Sequence, residues 1–128
     1  MSEPLSFLRI FSDETGESHA EWLDLPMSTK VFAPPAPPMD VSAQATARAV
    51  TMLRLAPGWH GEWHPTPARQ WLFVLRGEAS MQVSDGTSCS LPAGSFVLLE
   101  DTTGKGHQTT VLGAAEAIVA AVRVPLPE

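Results

Sequence analysis

The sequence predicts an all-β domain, and three observations carry that expectation. Twelve Pro and nine Gly are scattered over 128 residues, so breakers separate one short apolar run from the next. No stretch holds a helical period for three turns. The tetrapeptide Ser84-Asp85-Gly86-Thr87 is a strong hairpin signal, because Asp-Gly supplies the positive φ angles that a tight turn requires.

Taken in order, "LSFLRIF" (5–11) reads as a strand, and "SDETG" after it reads as a turn ending in Gly16. The run "ESHAEWLDL" (17–25) alternates imperfectly and can return as the second arm of a hairpin. "APPAPPMD" (33–40) holds four Pro in eight residues, which makes an extended, semi-rigid connector with few donors for a ladder. "VSAQATARA" (41–49) has helix formers but no clear cap. From residue 47 strands follow quickly: "ARAVTMLRL", "RQWLFVLR", "EASMQVS", "TSCSL", "SFVLLE", "HQTTVLG" and "AEAIVAAVRV". Short Gly- and Pro-containing turns separate them. A chain of this length makes one domain with one core.

Charge and composition narrow the function classes. The formal net charge of −6, with no basic cluster, argues against nucleic acid or an anionic membrane as partner. A single cysteine, Cys89, allows no intramolecular disulfide and suits a reducing compartment. The start "MSEPLSFLRIF" lacks a basic n-region and a long apolar core. The longest apolar stretch, "VLGAAEAIVAAVRV", is interrupted by Glu116 and Arg123 and is too short to span a bilayer. The expectation is a cytoplasmic, acidic protein.

The segment "PGWHGEWHPTPARQWLFVLRGEASMQV" (57–83) crowds Trp, His and Pro just ahead of a strand. Its spacing resembles the first signature of the cupins, G-x5-H-x-H-x3,4-E-x6-G. Gly58, His64 and Gly77 fall on that pattern, while Thr66 stands at the second His and Gln70 at the Glu. The second signature, P-x-G-x2-H, falls on "TTGKGH", with Thr102 at the Pro position, then Gly104 and His107. The likeness covers roughly 47–124, and small bacterial cupins of unassigned function are the group it resembles. It implies a single-domain jelly-roll (double-stranded β-helix) barrel over 47–128. Residues 1–46 then form an N-terminal β arm and Pro-rich connector packing on that barrel.

The same resemblance implies that His64, Gln70 and His107 face the interior, where they would hold one divalent ion such as Zn, Fe, Ni or Mn. Imidazole suits those metals, yet the anionic ligand of the family's pattern is absent here. The other reading is an interior histidine pair hydrogen-bonded to water and Gln70. Strand alternation over 60–66 would put His60, Glu62, His64 and Thr66 on one face. His60, Glu62 and Thr66 are therefore the candidate ligand-binding residues. By the same parity Trp59, Trp63 and Trp71 belong to the outer face or a subunit interface, with ordinary core packing as the alternative.

Glu100 and Asp101 lead into a Gly-rich loop, where a carboxylate serves as a general base or simply closes a solvated turn. His19 and Lys105 read as surface groups, and Cys89 as a small core residue. Two functions stay open: a metal-dependent enzyme acting on a small organic molecule, and a non-catalytic small-molecule binding or sensing module. A structural role has only the Trp residues and the arm behind it. Small cupins commonly pair by their strands, so the resemblance also implies a homodimer.

Overall fold

The computed structural model describes residues 4–127, all strand, turn and irregular chain, with no helix among the described residues. Eleven strands run in sequence: β1 Ser6–Ser12, β2 Ser18–Asp24, β3 Met27–Lys30, β4 Met39–Ser42, β5 Ala49–Leu55, β6 Gln70–Arg76, β7 Glu78–Val83, β8 Ser88–Pro92, β9 Phe96–Leu99, β10 His107–Leu112 and β11 Ala117–Arg123. The uncapped 41–49 stretch is the end of β4, an irregular connection and the start of β5.

Two sheets face each other. The larger has six strands in the order β2-β1-β9-β6-β11-β5, and the smaller has three in the order β10-β7-β8. β1 runs parallel to β9, and the remaining pairs are antiparallel. The result is a jelly-roll sandwich whose sheets do not close, since the larger one ends at β5. A separate two-stranded sheet, β3-β4, is joined through the Pro-rich segment. That segment, expected as a connector, is the tip of a hairpin, and residues 43–48 make the link to β5.

Alternation builds the core. In β6, Leu72 and Val74 point inward while Trp71 and Phe73 point out; in β7, Ala79, Met81 and Val83 point inward. β1 adds Leu8 and Ile10, both fully buried, so the N-terminal strand is part of the core. The chain passes from the larger to the smaller sheet at Gly77 and back at the Pro92–Ser95 turn, where Ser95 N donates to Pro92 O at 3.1 Å. The Asp-Gly hairpin joins β7 to β8 as its sequence signals. Cys89 packs against the core, and burial pushes its thiol up.

His19 is more than a surface group. Its Nε2 lies 2.7 Å from Asp13 and its Nδ1 2.9 Å from Asp85, so it ties the β1-β2 hairpin to the β7-β8 turn. The hydrogen bond to Asp13, then that to Asp85, raises the His19 pKa. The hydrogen bond from His19 leads the causes that lower Asp13, and Thr15 adds to it. Lys105 pairs with Glu17 at 2.7 Å from the neighbouring loop.

This clamp makes stability depend on pH. The His19 contribution is complete below its ordinary value of 6.5 and fades as pH rises through its raised pKa. The Asp13 contribution is complete above its ordinary 3.8 and fades as pH falls. Urea midpoints should therefore fall from pH 6 to pH 8.5 in the natural protein, and His19→Gln should remove most of that slope. An unchanged slope in the variant would locate the pH dependence elsewhere.

Candidate functional site

Residues 59–64 lie beside β10 and extend the smaller sheet. Gly61 N donates to Thr109 O, His64 N to His107 O at 3.1 Å, and His107 N to His64 O at 3.0 Å. His60 sits opposite Thr110 and His64 opposite His107. The step from His60 to His64 is four residues, while that from Thr110 to His107 is three. One extra residue is a β-bulge, and it reverses the parity of everything that follows.

The bulge corrects the expected grouping. His60 is on the outer face, where Gln108 Nε2 donates to its Nε2 at 3.1 Å and its Nδ1 donates to Thr110 Oγ1 at 2.7 Å. The side chain of Glu62 is exposed, and its carbonyl accepts from His64 Nδ1 at 2.7 Å. Trp59, expected outside, lines the cavity instead, with 38% of its surface exposed. Trp63 stays outside, near Gln82 and Lys105. Trp71 lies on the outer face of the larger sheet, 5.1 Å from Phe7 and 6.0 Å from Phe73 between ring centroids.

His64, Thr66, Gln70 and His107 do come together. All four line one cavity between the sheets, of about 130 Å³. The imidazole centroids of His64 and His107 are 4.9 Å apart. Gln70 Nε2 donates to Thr66 Oγ1 at 3.2 Å, and that hydroxyl donates to Ala68 O at 2.7 Å. Thr66 is buried, and its amide donates to Asp101 O at 3.0 Å. Away from this polar end the walls are Leu72, Val74, Met81, Val97, Leu99 and Val119, among other apolar side chains.

Behind the site lies a group the sequence assigned to a solvated turn or to a general base at the cavity mouth. Asp101 is fully buried, and its Oδ2 accepts from His107 Nδ1 at 2.6 Å. Its Oδ1 has no hydrogen-bond partner. The Asp101–His107 spacing of six residues around a Gly-rich loop was the available signal, since that loop can fold the chain back on itself. Glu100 is no solvated turn residue either. It bridges Arg9 and Arg69; burial pushes its carboxyl up, but the hydrogen bonds and charges of the two arginines together hold it below the usual range. Arg69 also donates to Pro125 O at 2.9 Å.

Gly106 makes the His64–His107 approach possible. Its φ is 74°, and a Cβ there would collide with the His64 carbonyl carbon and oxygen and with Pro65 N. A metal at this site would find two imidazoles whose Nδ1 atoms are engaged from behind and whose Nε2 atoms are left for the cavity. Such outer partners orient metal-ligating histidines. The only further donor from the expected set is the neutral oxygen of Gln70. Among the described residues no group of three or more His, Cys, Asp or Glu is placed to hold an ion.

No protein-family model matches the chain, and no curated protein matches it. Solved structures do. A cupin domain from Bordetella pertussis Tohama I is 15% identical with a TM-score of 0.50, covering 78% of this chain and 94% of that one. The Cnp3 cupin domain of Schizosaccharomyces pombe is 9% identical with a TM-score of 0.52, covering 98% and 86%. At these identities the likeness establishes the fold, and the chain has the cupin fold. No helix among the described residues is long and apolar enough to cross a membrane.

Gly106→Ala should cost more than about 1 kcal/mol and move the 64–65 segment away from β10. Urea unfolding reads the first effect, and the chemical shifts of the His64 and His107 ring nitrogens read the second. Unchanged shifts would mean that the loop accommodates the methyl without disturbing the site.

Proposed function

We propose that this cupin-fold chain is a small-molecule binding protein whose interior cavity takes a compact, mostly apolar ligand with one polar head. The observation that carries this reading is the division of the cavity into an apolar body and a single polar end. Apolar walls supply affinity by taking ligand surface out of water, and the few polar groups orient it. The cavity of about 130 Å³ is close to the roughly 150 Å³ that accommodates benzene in an engineered protein core. The ligand is thus a single ring or a short branched chain.

The polar end sets the head group. His64 and His107 each donate through Nδ1 to an acceptor outside the cavity, which leaves Nε2 to accept from a ligand hydroxyl or acid. Gln70, anchored through its amide nitrogen on Thr66, offers its carbonyl oxygen beside them. The prolines flanking Thr66 stiffen the rim, so little freedom is lost on binding. His60 and Glu62 lie outside this arrangement.

Phenol, benzoate and toluene are suitable probes. Phenol and benzoate should shift the methyl resonances of Leu72, Met81 and Val119 at millimolar concentration, and toluene should bind about tenfold more weakly for want of a head group. A lack of shifts with all three probes would rule out the cavity as a ligand site.

A second reading is favoured by the engaged Nδ1 atoms: His64 and His107 anchor a divalent ion, Gln70 adds an amide oxygen, and water or the bound molecule completes the shell. In a site of this kind an ion supplies Lewis-acid polarisation of a ligand oxygen. Elemental analysis of untagged protein purified without chelator tests it beside the His64→Ala/His107→Ala variant. Near-stoichiometric Zn, Fe, Ni or Mn that is lost in the variant supports the ion. Its absence after incubation with each metal removes that reading and leaves the first untouched.

A further inference from the structure

Among the described residues, no Lys, Arg, Asp or Glu lines the cavity between the sheets. Its polar groups are His64, Thr66, Gln70, His107 and Thr109. What such a set recognises depends on which of its atoms donate and which accept. The hydrogen bonds that lead away from the cavity decide that at three positions.

Both rings and the amide spend a donor on the protein. The Glu62 carbonyl can only accept, so His64 Nδ1 carries the hydrogen and Nε2 a lone pair. His107 Nδ1 donates to Asp101 Oδ2, which leaves its Nε2 as an acceptor too. The Thr66 hydroxyl donates to Ala68 O, so toward Gln70 it can only accept. The Gln70 atom 3.2 Å from it is therefore the amide nitrogen, and Oε1 is left over. Three acceptors result, each from a different segment: the rim loop, the start of β6 and the start of β10.

We infer that the head group recognised here is a primary amine bound as its ammonium, so that the ligand is a compact, apolar monoamine. This rests on the cavity being the ligand site proposed above. An ammonium has three N–H donors and no acceptor, the complement of this set. A hydroxyl brings one donor and turns lone pairs toward the remaining acceptors, and a carboxylate brings lone pairs alone. The His64 and His107 ring centroids are 4.9 Å apart, less than twice the about 2.9 Å of an N–H hydrogen bond. One nitrogen can span that spacing.

Charge points the same way. Asp101 is 0% exposed, its Oδ2 is bonded to the His107 ring, and its Oδ1 has no partner. A buried carboxylate is costly without a compensating charge. The closest arginine in sequence to the polar end, Arg69, is committed to Glu100 and to Pro125 O. An ammonium on His107 Nε2 places a positive charge on the other side of the same ring. The net charge of −6 also favours the approach of a cation over that of an anion.

Titration of the full chain at pH 7 with benzylamine, benzyl alcohol, toluene and benzoate tests this, each with and without EDTA. The methyl resonances of Leu72, Met81 and Val119 read binding. Benzylamine should bind about tenfold tighter than benzyl alcohol, and benzoate no tighter than the alcohol. His64→Leu keeps the backbone bonds to His107 and removes one acceptor. It should weaken benzylamine about tenfold and leave toluene unchanged. Three outcomes would each overturn the inference and leave the cavity as a ligand site: benzylamine not ranking first, a preference lost with EDTA and hence owed to a metal, or a preference that His64→Leu leaves intact. No shift with any of the four probes would overturn both the inference and the cavity as a ligand site.

Discussion

A carboxyl group with no access to water holds the site together. Asp101 accepts from the His107 ring through its side chain and from the Thr66 amide through its backbone, so one residue joins the start of β10 to the rim loop. Removing one partner of a buried hydrogen-bonded pair leaves the other unsatisfied at a cost of about 1–3 kcal/mol, which makes the pair hard to break. That rigidity passes to the ring of His107, then across the two backbone bonds to His64. The tautomer of His107 follows from it, while that of His64 is set by its bond to the Glu62 carbonyl.

The bulge between His60 and His64 does complementary work. It lets one short segment turn both Trp59 and His64 to the cavity, where both keep part of their surface in solvent, and His60 away from it, which a regular strand cannot do. Gly61 and Gly106 are the places where the chain tolerates this. A Cβ at Gly61 would meet the Trp59 ring, and one at Gly106 would meet the His64 carbonyl. The crowding of His, Trp, Pro and Gly in this stretch thus has a geometric purpose: aromatic bulk lining the cavity, an imidazole at its mouth, and a close approach to Gly106 that nothing larger than glycine permits.

The cavity and the outer apolar face belong to the same three strands. β6, β11 and β5 turn Leu72, Val119 and Leu53 to the cavity and Trp71, Val122 and Val50 away from it. Apolar residues on both faces of a strand call for cover on both sides. One cover is the smaller sheet. The polar outer face of that smaller sheet shows that the requirement is not general in this protein but confined to one layer.

Sequence alone determined the all-β class, the Asp-Gly hairpin, and the convergence of His64, Gln70 and His107, because alternation and turn chemistry are local and the cupin spacing carried the rest. Local signals also placed Trp71 outside. They could not place Trp59, His60 or Glu62, since a single inserted residue flips parity and only pairing with β10 reveals it. They could not pair Asp101 with His107 or Glu100 with Arg9 and Arg69, because those contacts depend on how distant segments meet. Tertiary structure decided these, for the physical reason that a buried carboxylate is defined by its partners and a strand face by its neighbours.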